Sequence, residues 1–480
     1  MKGNVFIGAL LLSITSFSSI GMSEEDKTTI SNTIKQLATE NKLVGTHMLA
    51  VVDQNGLVLF TGYARENKAF TVDTPFLLAS HTKAMTSTLF AILADQGQLD
   101  LNAPLGTYDA NPIATPKIDT SAITIKQLLT HTAGFTSVQH SFKTAFLGFE
   151  DQVDLVASLN NKVLVAPDYS FRYSNTGPIV ASMIAEEKLE KSWSELMDEH
   201  LFSALGMHNT TTRISEVKNI LPGITSARNG DVFAYGHHKV DKTMHPAGGV
   251  VSTMGDMAIW LKANINRYYS PLADHDIFTA LHNTQVKQSK EYFTYSRDGY
   301  TLGWDSASYN GERLLTRFGN YGGYSVHVSF MPEQKLGIIA MTNLDTAYVL
   351  PHVMANFAYN TLLKKDNAQQ NLTAEKERLT KSIEKERASA PDLSHIVRGE
   401  ALNPDLLGTY NNNEAWPNMH FYVDKGQVKV KWGELTGTLL KNEEQYYANF
   451  GVLERPISFS PAGAQAYSLT NGSLKYSQLK

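Results

Sequence analysis

Two short groups of polar residues in this chain have the types and spacing that nucleophilic catalysis needs. The first is Ser80 and Lys83 in "FLLASHTKAMTSTLF", where an apolar run passes into a predicted helix that Gly97 would end. Residues three apart lie on one face of a helix, so the lysine ammonium can reach the serine hydroxyl. The helix is apolar enough to be buried, and burial lowers the pKa of a lysine, which can then accept a proton from the serine.

The same pair also fits a purely structural interpretation. Ser80 could cap the helix while Lys83 extends its ammonium to solvent. Other S-x-x-K tetrads begin at Ser215, Ser382 and Ser477, so the spacing alone is not specific. Both interpretations remain open on this segment taken alone.

The second group is Tyr173-Ser174-Asn175, in a polar loop before another helical run. A tyrosine directed at a serine and an ammonium can take a proton and return it to a leaving group. The Asn175 amide can bond a substrate amide and Lys83. Such a tripeptide more commonly forms a turn with a packed tyrosine. The position of Tyr173 relative to Ser80 has to distinguish the two interpretations.

Composition limits the classes of partner and site. The chain has 480 residues, of which 42% are apolar and 19% charged, which predicts a globular protein with a large core and a second module. A net charge of −5 offers no basic surface, so we expect no nucleic-acid partner. The absence of cysteine excludes disulfides and thiolate metal sites. Because H-E-x-x-H is also absent and His237-His238 point opposite ways in extended chain, we expect no metal and no cofactor.

Residues 1–22 are typical of a secretory signal peptide. Lys2 precedes the apolar stretch "VFIGALLLSI", which small residues follow. The stretch is short for a membrane span, although an uncleaved anchor remains an alternative. We therefore expect a periplasmic or secreted protein with no membrane span beyond this segment, and the oligomeric state stays open.

The remaining chain divides into three predicted parts. Residues 23–365 combine helical runs with two hairpins, one around Asn55-Gly56 and one in "YGGYSVHVSFMPEQKLGIIAMTNL", which predicts an α+β fold with helices packed on an antiparallel sheet. Residues 366–402 are charged and helical in pattern, which predicts a solvated linker. Residues 403–480 are short alternating runs with turns, which predicts a small antiparallel β-barrel.

Six segments in order make a resemblance specific. They are "FLLASHTKAMTSTLFAILADQGQLDLNAPL", "ITIKQLLTHTAGF", "FRYSNTGPIV", "LFSALGMHNT", "HPAGGVVSTMGDMAIWL" and "GNYGGYSVHVSFMP". Together they resemble the serine β-lactamase superfamily, in its branch of class C β-lactamases, D-aminopeptidases, penicillin-binding carboxypeptidases and carboxylesterases. The resemblance covers nearly all of residues 30–362. It implies a sheet-and-helix sandwich beside a helical lobe, with the active site between them, and the C-terminal part is similar to the lipocalin-like barrel of many relatives.

The resemblance also implies roles for the two polar groups. Ser80 is expected to be the nucleophile and Lys83 its activating partner. Tyr173 is expected to act as general base and then acid, while Asn175 positions the substrate.

The third motif departs from the family pattern. Relatives carry K-T-G or H-x-G on the strand that lines the site, where this chain has Asn320-Tyr321-Gly322. These residues are expected to bind substrate, and the backbone N–H groups of Ser80 and Gly323 to form the oxyanion hole. The motif cation is missing, which predicts a weakened preference for substrates with a free carboxylate. Arg317 or His327 could substitute, but strand alternation alone does not decide.

The sequence thus predicts an exported, cofactor-free serine hydrolase. Its substrates would be small peptides, D-amino-acid derivatives or esters, cleaved at amide or ester bonds through an acyl-serine intermediate. A second hypothesis is a penicillin-binding-like sensor or binding protein that keeps the pocket but turns over poorly because of the altered third motif.

Overall fold

The structure, a computed structural model, describes residues 21–65, 69–161, 163–165, 170–226, 232–234, 239–269, 277–390, 392–463 and 466–479. The predicted signal peptide lies outside these ranges except for residues 21–22, and His237-His238 lie outside them as well. In the described ranges, none of the helices combines the length and the apolar character that a membrane crossing requires.

The main sheet joins the two predicted hairpins. Its strands are β1 (Thr46–Asp53), β2 (Gly56–Ala64), β3 (Val286–Tyr292), β4 (Tyr295–Tyr300), β5 (Asp305–Tyr309), β6 (Glu312–Tyr321), β7 (Tyr324–Met331) and β8 (Leu336–Thr342). They pair antiparallel in the order β2-β1-β8-β7-β6-β5-β4-β3. Because β1 pairs with β8, the first hairpin joins the sheet beside the last of its strands in chain order.

Helices cover both faces of this sheet, so its central strands are buried along their whole length. Successive side chains of a strand point to opposite faces. Met48 and Ala50 of β1 accordingly belong to one core with Leu89 and Trp260, whereas Leu49 belongs to the other core with Ile34. This is the α+β architecture that the sequence predicts.

The helices are α1 (Glu24–Glu40), α2 (Thr82–Asp95), α3 (Ile125–Leu129), α4 (Val138–Phe142), α5 (Gln152–Asn160), α6 (Thr176–Leu189), α7 (Trp193–Met197), α8 (Ser203–Leu205), α9 (Met254–Asn266), α10 (Ile277–His282), α11 (Leu350–Leu362) and α12 (Ala368–Ala388). One-turn π-helices follow α4 and α7, at Lys143–Leu147 and Asp198–Phe202. Short strand pairs join Phe76–Leu77 to Val251–Ser252, Phe135–Ser137 to Val163–Val165, and Ile224–Ser226 to Val232–Ala234. Helices α1 and α11 share a core on one face of the sheet, and α2 and α9 pack on the other.

The charged segment after α11 is helical, but it differs from the solvated linker that the sequence suggests. Leu372, Leu379 and Ile383 of α12 are buried in the core that α1 and α11 share. These apolar positions recur at helical spacing in a polar sequence, so one stripe of α12 docks while the rest faces solvent.

The C-terminal residues form a closed eight-stranded antiparallel barrel. Its strands are Gly408–Asn411, Met419–Asp424, Gln427–Trp432, Leu435–Asn442, Gln445–Asn449, Glu454–Pro461, Tyr467–Asn471 and Leu474–Gln478. The barrel packs on the α4 region: the Phe142 ring lies 5.4 Å from Trp432, and the Glu434 N–H donates to the Leu147 carbonyl at 3.0 Å. The barrel therefore supports a segment that also lines the candidate site.

Candidate active site

Ser80 lies in a 3₁₀ turn, Ala79–His81, that leads directly into α2. Ser80 therefore does not cap α2, whose N-cap residue is His81, while Gly97, with φ of +70°, lies two residues after the helix end as predicted. Ala79 has a positive φ of 46°, an unusual conformation for a residue with a side chain. The turn puts Ser80 at the border of two cavities, described below.

Lys83 occupies the first turn of α2 and is only 1% exposed. Its ammonium donates to Ser80 Oγ at 3.2 Å, to Asn175 Oδ1 at 2.7 Å and to the Ala247 carbonyl at 2.6 Å. None of the described carboxylates lies within ion-pair distance of it. Burial lowers the pKa of Lys83 to about 8, so the amine can exchange a proton near neutral pH.

Tyr173 approaches Ser80 from the other side. Its hydroxyl donates to Ser80 Oγ at 2.9 Å, and its ring lies 4.7 Å from both the Lys83 ammonium and the Arg317 guanidinium. Burial of the hydroxyl raises the pKa of Tyr173, but the charges of Arg317 and Lys83 outweigh it and lower that pKa to about 8. The residue is still 46% exposed, so its ring also borders the cavity. Serine, lysine and tyrosine thus converge on one point.

Asn175 is the residue before α6, and its side-chain oxygen holds Lys83. Asn175 also borders the smaller cavity, which makes its amide nitrogen a candidate donor to a substrate. His131 has a φ of +61° and accepts a hydrogen bond from the Ser174 N–H at 3.3 Å. Its ring centroid lies 4.8 Å from that of Tyr173, so it supports the tyrosine.

The residues in the place of the third motif lie three positions earlier on β6 than the family pattern predicts. Arg317, Gly319 and Tyr321 share the face directed at Ser80: the Arg317 Nε donates to the Ser80 carbonyl at 3.3 Å, and Tyr321 lines the same cavity as Ser80. A Cβ at Gly319 would lie 2.0 Å from the Leu78 carbonyl oxygen, so only glycine fits there. Arg317-Phe318-Gly319 therefore occupies the place expected of Asn320-Tyr321-Gly322.

Gly322 and Gly323 form the two-residue turn between β6 and β7, with φ of +50° and +91°. Gly323 packs against Gly223 and Ile224, and neither turn glycine lines the two cavities that contain Ser80. This corrects the expectation that the Gly323 N–H completes the oxyanion hole. The turn places the residue further from Ser80 than the motif pattern requires.

The register of β6 indicates Asn320 instead. Two-residue turns close both of its hairpins, at Tyr309↔Glu312 and Tyr321↔Tyr324, and both put the backbone of even-numbered β6 residues on the β5 side. Since β5 begins at Asp305, opposite Thr316, the Asn320 N–H faces an open edge beside Ser80. The Asn320 side chain turns to the other face, where Nδ2 donates to Ser325 Oγ at 2.8 Å.

Arg317, and not His327, supplies a cation to the site. Arg317 is 6% exposed and pairs with Asp305 at 3.1 Å, a carboxylate that it shares with Arg297 at 3.2 Å. Burial opposes its charge, but Tyr173, Tyr300 and Asp305 raise its pKa above the usual value. Burial lowers the pKa of His327 to about 3, so that ring stays neutral. The predicted loss of the motif cation is therefore wrong.

Two cavities meet at Ser80. The larger, about 660 Å³ and called the Arg317 cavity here, runs along the open edge of β6 and is bordered by Phe171, Tyr292, Phe318 and His352. The smaller, about 410 Å³ and called the Lys239 cavity, is bordered by Asn175, Phe142, Phe146, Tyr321, Lys239 and His245. A substrate with its reacting carbonyl at Ser80 can extend into both.

The sequence did not identify Lys239 and His245 as residues of the site. Lys239 follows a loop rich in histidine, where a lysine is ordinarily solvated, and no spacing connects it to Ser80. His245 accepts a hydrogen bond from the Ala247 N–H through Nδ1 at 3.2 Å, and burial keeps its pKa well below the usual value. Its Nε2 consequently carries the proton and serves as a donor.

Among the described residues, no group of three or more His, Asp or Glu side chains is placed so that it could hold a metal ion. The chemistry that the site can perform is acyl transfer: a hydroxyl held by an amine and a phenol of matched pKa, next to backbone N–H donors at an open strand edge.

A family model described as Beta-lactamase matches residues 30–358, more than half of the chain. The chain belongs to the beta-lactamase family. Two curated family relatives are hydrolases by name. The unguisins hydrolase UngD' of Aspergillus campestris is 25% identical over 313 residues, and the chain spans 58% of its length. The D-alanyl-D-alanine-carboxypeptidase/endopeptidase AmpH of Escherichia coli K12 is 26% identical over 305 residues, which are 60% of this chain and 77% of AmpH.

The fold of the whole chain has a counterpart among solved structures. The octameric penicillin-binding protein homologue from Pyrococcus abyssi superposes with a TM-score of 0.62 at 19% identity, covering 94% of this chain and 99% of that one. The superposition covers more of this chain than the family model does, and at this identity it shows a likeness of fold alone.

Proposed function

We propose that this beta-lactamase family member is a serine hydrolase that cleaves amide or ester bonds through an acyl intermediate on Ser80. The observation that carries the proposal is the contact set of one atom: Ser80 Oγ lies 3.2 Å from the Lys83 ammonium and 2.9 Å from the Tyr173 hydroxyl. An N-cap serine with a solvated lysine would leave Lys83 exposed, yet it is buried.

The first half of the reaction forms the acyl-enzyme. With a pKa of about 8, a fraction of Tyr173 is phenolate at neutral pH and takes the proton of Ser80 as Oγ bonds to the substrate carbonyl carbon. The N–H groups of Ser80 and Asn320 stabilise the oxyanion. The bond to the leaving nitrogen or oxygen then breaks, and that atom takes the proton from Tyr173.

The second half reverses these roles. Water attacks the acyl carbon and gives a proton to Tyr173, and the Ser80–acyl bond breaks as Oγ recovers that proton. Lys83 and Arg317 hold Tyr173 and its charge in both halves. Lys83 also keeps Asn175 in place beside the substrate.

Small substrates fit the site. Cavities of about 660 and 410 Å³ accept short peptides, D-amino-acid derivatives or esters. The name of AmpH, a D-alanyl-D-alanine-carboxypeptidase/endopeptidase, supports the peptide class, and that of the unguisins hydrolase supports hydrolysis.

Hydrolysis of short-chain 4-nitrophenyl esters, together with labelling by a fluorescent penicillin, tests this function. Wild type should turn over the esters, and Ser80→Ala should lose at least about 1000-fold of kcat/KM and all labelling. Labelling without turnover would favour the sensor, and turnover that survives in Ser80→Ala would exclude the serine mechanism.

We propose in addition that the mature protein acts in the periplasm or is secreted. The support is the signal-peptide pattern of residues 1–22. N-terminal sequencing of protein recovered from a cell fraction tests this, since cleavage near residue 22 is expected and an intact Met1 in the cytoplasm would contradict it.

A further inference from the structure

Lys239 is a buried cation with no described acidic partner. It is 3% exposed, and its ammonium donates to the Thr243 carbonyl at 2.7 Å and to the Ala145 carbonyl at 3.3 Å. It also lies 4.5 Å from the centroid of the Tyr321 ring. Burying an ammonium without a carboxylate costs free energy, so a ligand that completes the charge would bind strongly there.

The surroundings of Lys239 are suited to an anion. The described residues that border the Lys239 cavity include no aspartate or glutamate. The Nε2–H of His245 and the side-chain amide of Asn175 are further donors at the same cavity. A cavity edged by hydrogen-bond donors and one uncompensated cation favours an acceptor group with negative charge.

The cavity also limits the size of that group. Its volume is about 410 Å³, and the Phe142 and Phe146 rings form an apolar part of its wall. Phe146 stacks on Tyr321 with ring centroids 5.5 Å apart, which fixes the ring beneath Lys239. The space suits a fragment about the size of one amino acid, with an apolar part beside the phenylalanines.

The Arg317 guanidinium does not duplicate this role. It is bonded to Asp305 and to the Ser80 carbonyl, and it lies over the Tyr173 ring, so its charge is already compensated within the protein. Lys83 also has only neutral described partners, but it holds Ser80 and Asn175 and is not among the residues that border the Lys239 cavity. Lys239 is therefore the cation that borders this cavity, and its described partners are all neutral.

We propose that Lys239 recognises an anionic group, a carboxylate in the simplest case, on the part of the substrate that lies in the Lys239 cavity. This inference rests on the proposed function for the meaning of "substrate", and it deepens that function by naming a substrate class: small acyl compounds that carry a carboxylate about one residue from the cleaved bond. Lys239 is then a determinant of specificity and not a proton-transfer group.

Matched acid and amide esters test the proposal. One pair carries the charge on the acyl side (the 4-nitrophenyl esters of glutaric acid and of its monoamide). The other carries it on the leaving group (the phenylacetyl esters of 3-hydroxybenzoic acid and 3-hydroxybenzamide). We expect wild type to prefer the acid of at least one pair in kcat/KM, and Lys239→Met to reduce that acid-to-amide ratio by about 10- to 100-fold. Lys239→Arg should restore part of the ratio.

Lys242 provides the matched control, because it is three residues away, exposed, and paired with Glu434 of the barrel at 3.7 Å. Lys242→Met should keep the wild-type ratio. An equal loss on acid and amide in Lys239→Met would assign Lys239 a purely structural role and overturn the proposal, as would a wild-type enzyme that prefers neither acid.

Calorimetry separates this inference from the catalytic one. The four esters are titrated into Ser80→Ala and into Ser80→Ala/Lys239→Met. Tighter binding of an acid than of its amide, lost with Lys239, supports anion recognition even if Ser80 proves dispensable for turnover. Equal binding of acid and amide in Ser80→Ala contradicts it even if the serine mechanism holds.

Discussion

Arg317 and Lys239 are buried cations in the two cavities that meet at Ser80, but the protein balances their charges differently. Arg317 pairs with a carboxylate that is itself buried, whereas the described partners of Lys239 are two carbonyl groups and an aromatic ring. Burial lowers the pKa of Arg317, but Tyr173, Tyr300 and Asp305 together raise it above its usual value. Burial and the charge of Lys83 lower the pKa of Lys239 to about 7. The charge of Arg317 is balanced within the protein, whereas the charge of Lys239 is left for a ligand to balance.

The largest effect is expected when the carboxylate of Asp305, which pairs with both arginines, is neutralised. Asp305→Asn leaves both Arg317 and Arg297 buried without their counter-charge, so the free energy of unfolding should fall by about 3–5 kcal/mol. Chemical denaturation measures it. Glu333→Gln, which removes an exposed partner of Arg313 at 3.6 Å, is the control and should cost no more than about 1 kcal/mol. Equal losses in the two variants would contradict the comparison.

A smaller effect, on catalysis, is expected when the fixed charge itself is removed. Arg317→Met takes away a charge that lowers the pKa of Tyr173, so this pKa rises and the acidic limb of the kcat/KM profile moves to higher pH. At pH values below the pKa of Tyr173, each unit by which that pKa rises lowers kcat/KM about tenfold. Profiles from pH 6 to 10 measure this. Arg317→Lys keeps a charge and should shift less, while an unmoved limb in Arg317→Met would mean that Tyr173 is not the titrating base.

A third effect concerns the pH dependence of stability at Lys239. The folded pKa of Lys239 lies below its unfolded value, so folding is penalised as pH falls from about 10 to about 7 and the cost is fully present below that. Lys239→Met should therefore be as stable as wild type at pH 10 and more stable at pH 7. Thermal unfolding across this range measures the difference. A loss of stability that does not change with pH would show that the lysine is a structural tether.

Much of the fold could be predicted because local signals agree with it. Asn55-Gly56 fixes the first hairpin, and the short alternating runs after residue 403 indicate the barrel. The docked helix α12 was missed for a physical reason: Leu372, Leu379 and Ile383 are spaced for one face, but the surrounding charges dominate the composition.

The candidate site was predictable only where chain neighbours meet. Ser80 and Lys83 are brought together by one helical turn, whereas Tyr173 is 93 residues from Ser80 and could be assigned only by resemblance. The third motif was assigned to the wrong residues of β6. The alternation of side chains along a strand shows which face a residue lies on only when the register of the strand is known. The turn at Gly322-Gly323 fixes that register, and it became visible only from the backbone angles.

Mass spectrometry of the trapped intermediate tests the central claim most directly. Wild-type protein mixed with a slowly hydrolysed ester and quenched in acid should gain the mass of one acyl group, and peptide mapping should place it on Ser80, with Lys83→Met gaining it at least about 1000-fold more slowly. An acyl group found on another residue, or an equal gain in Ser80→Ala, would contradict the account.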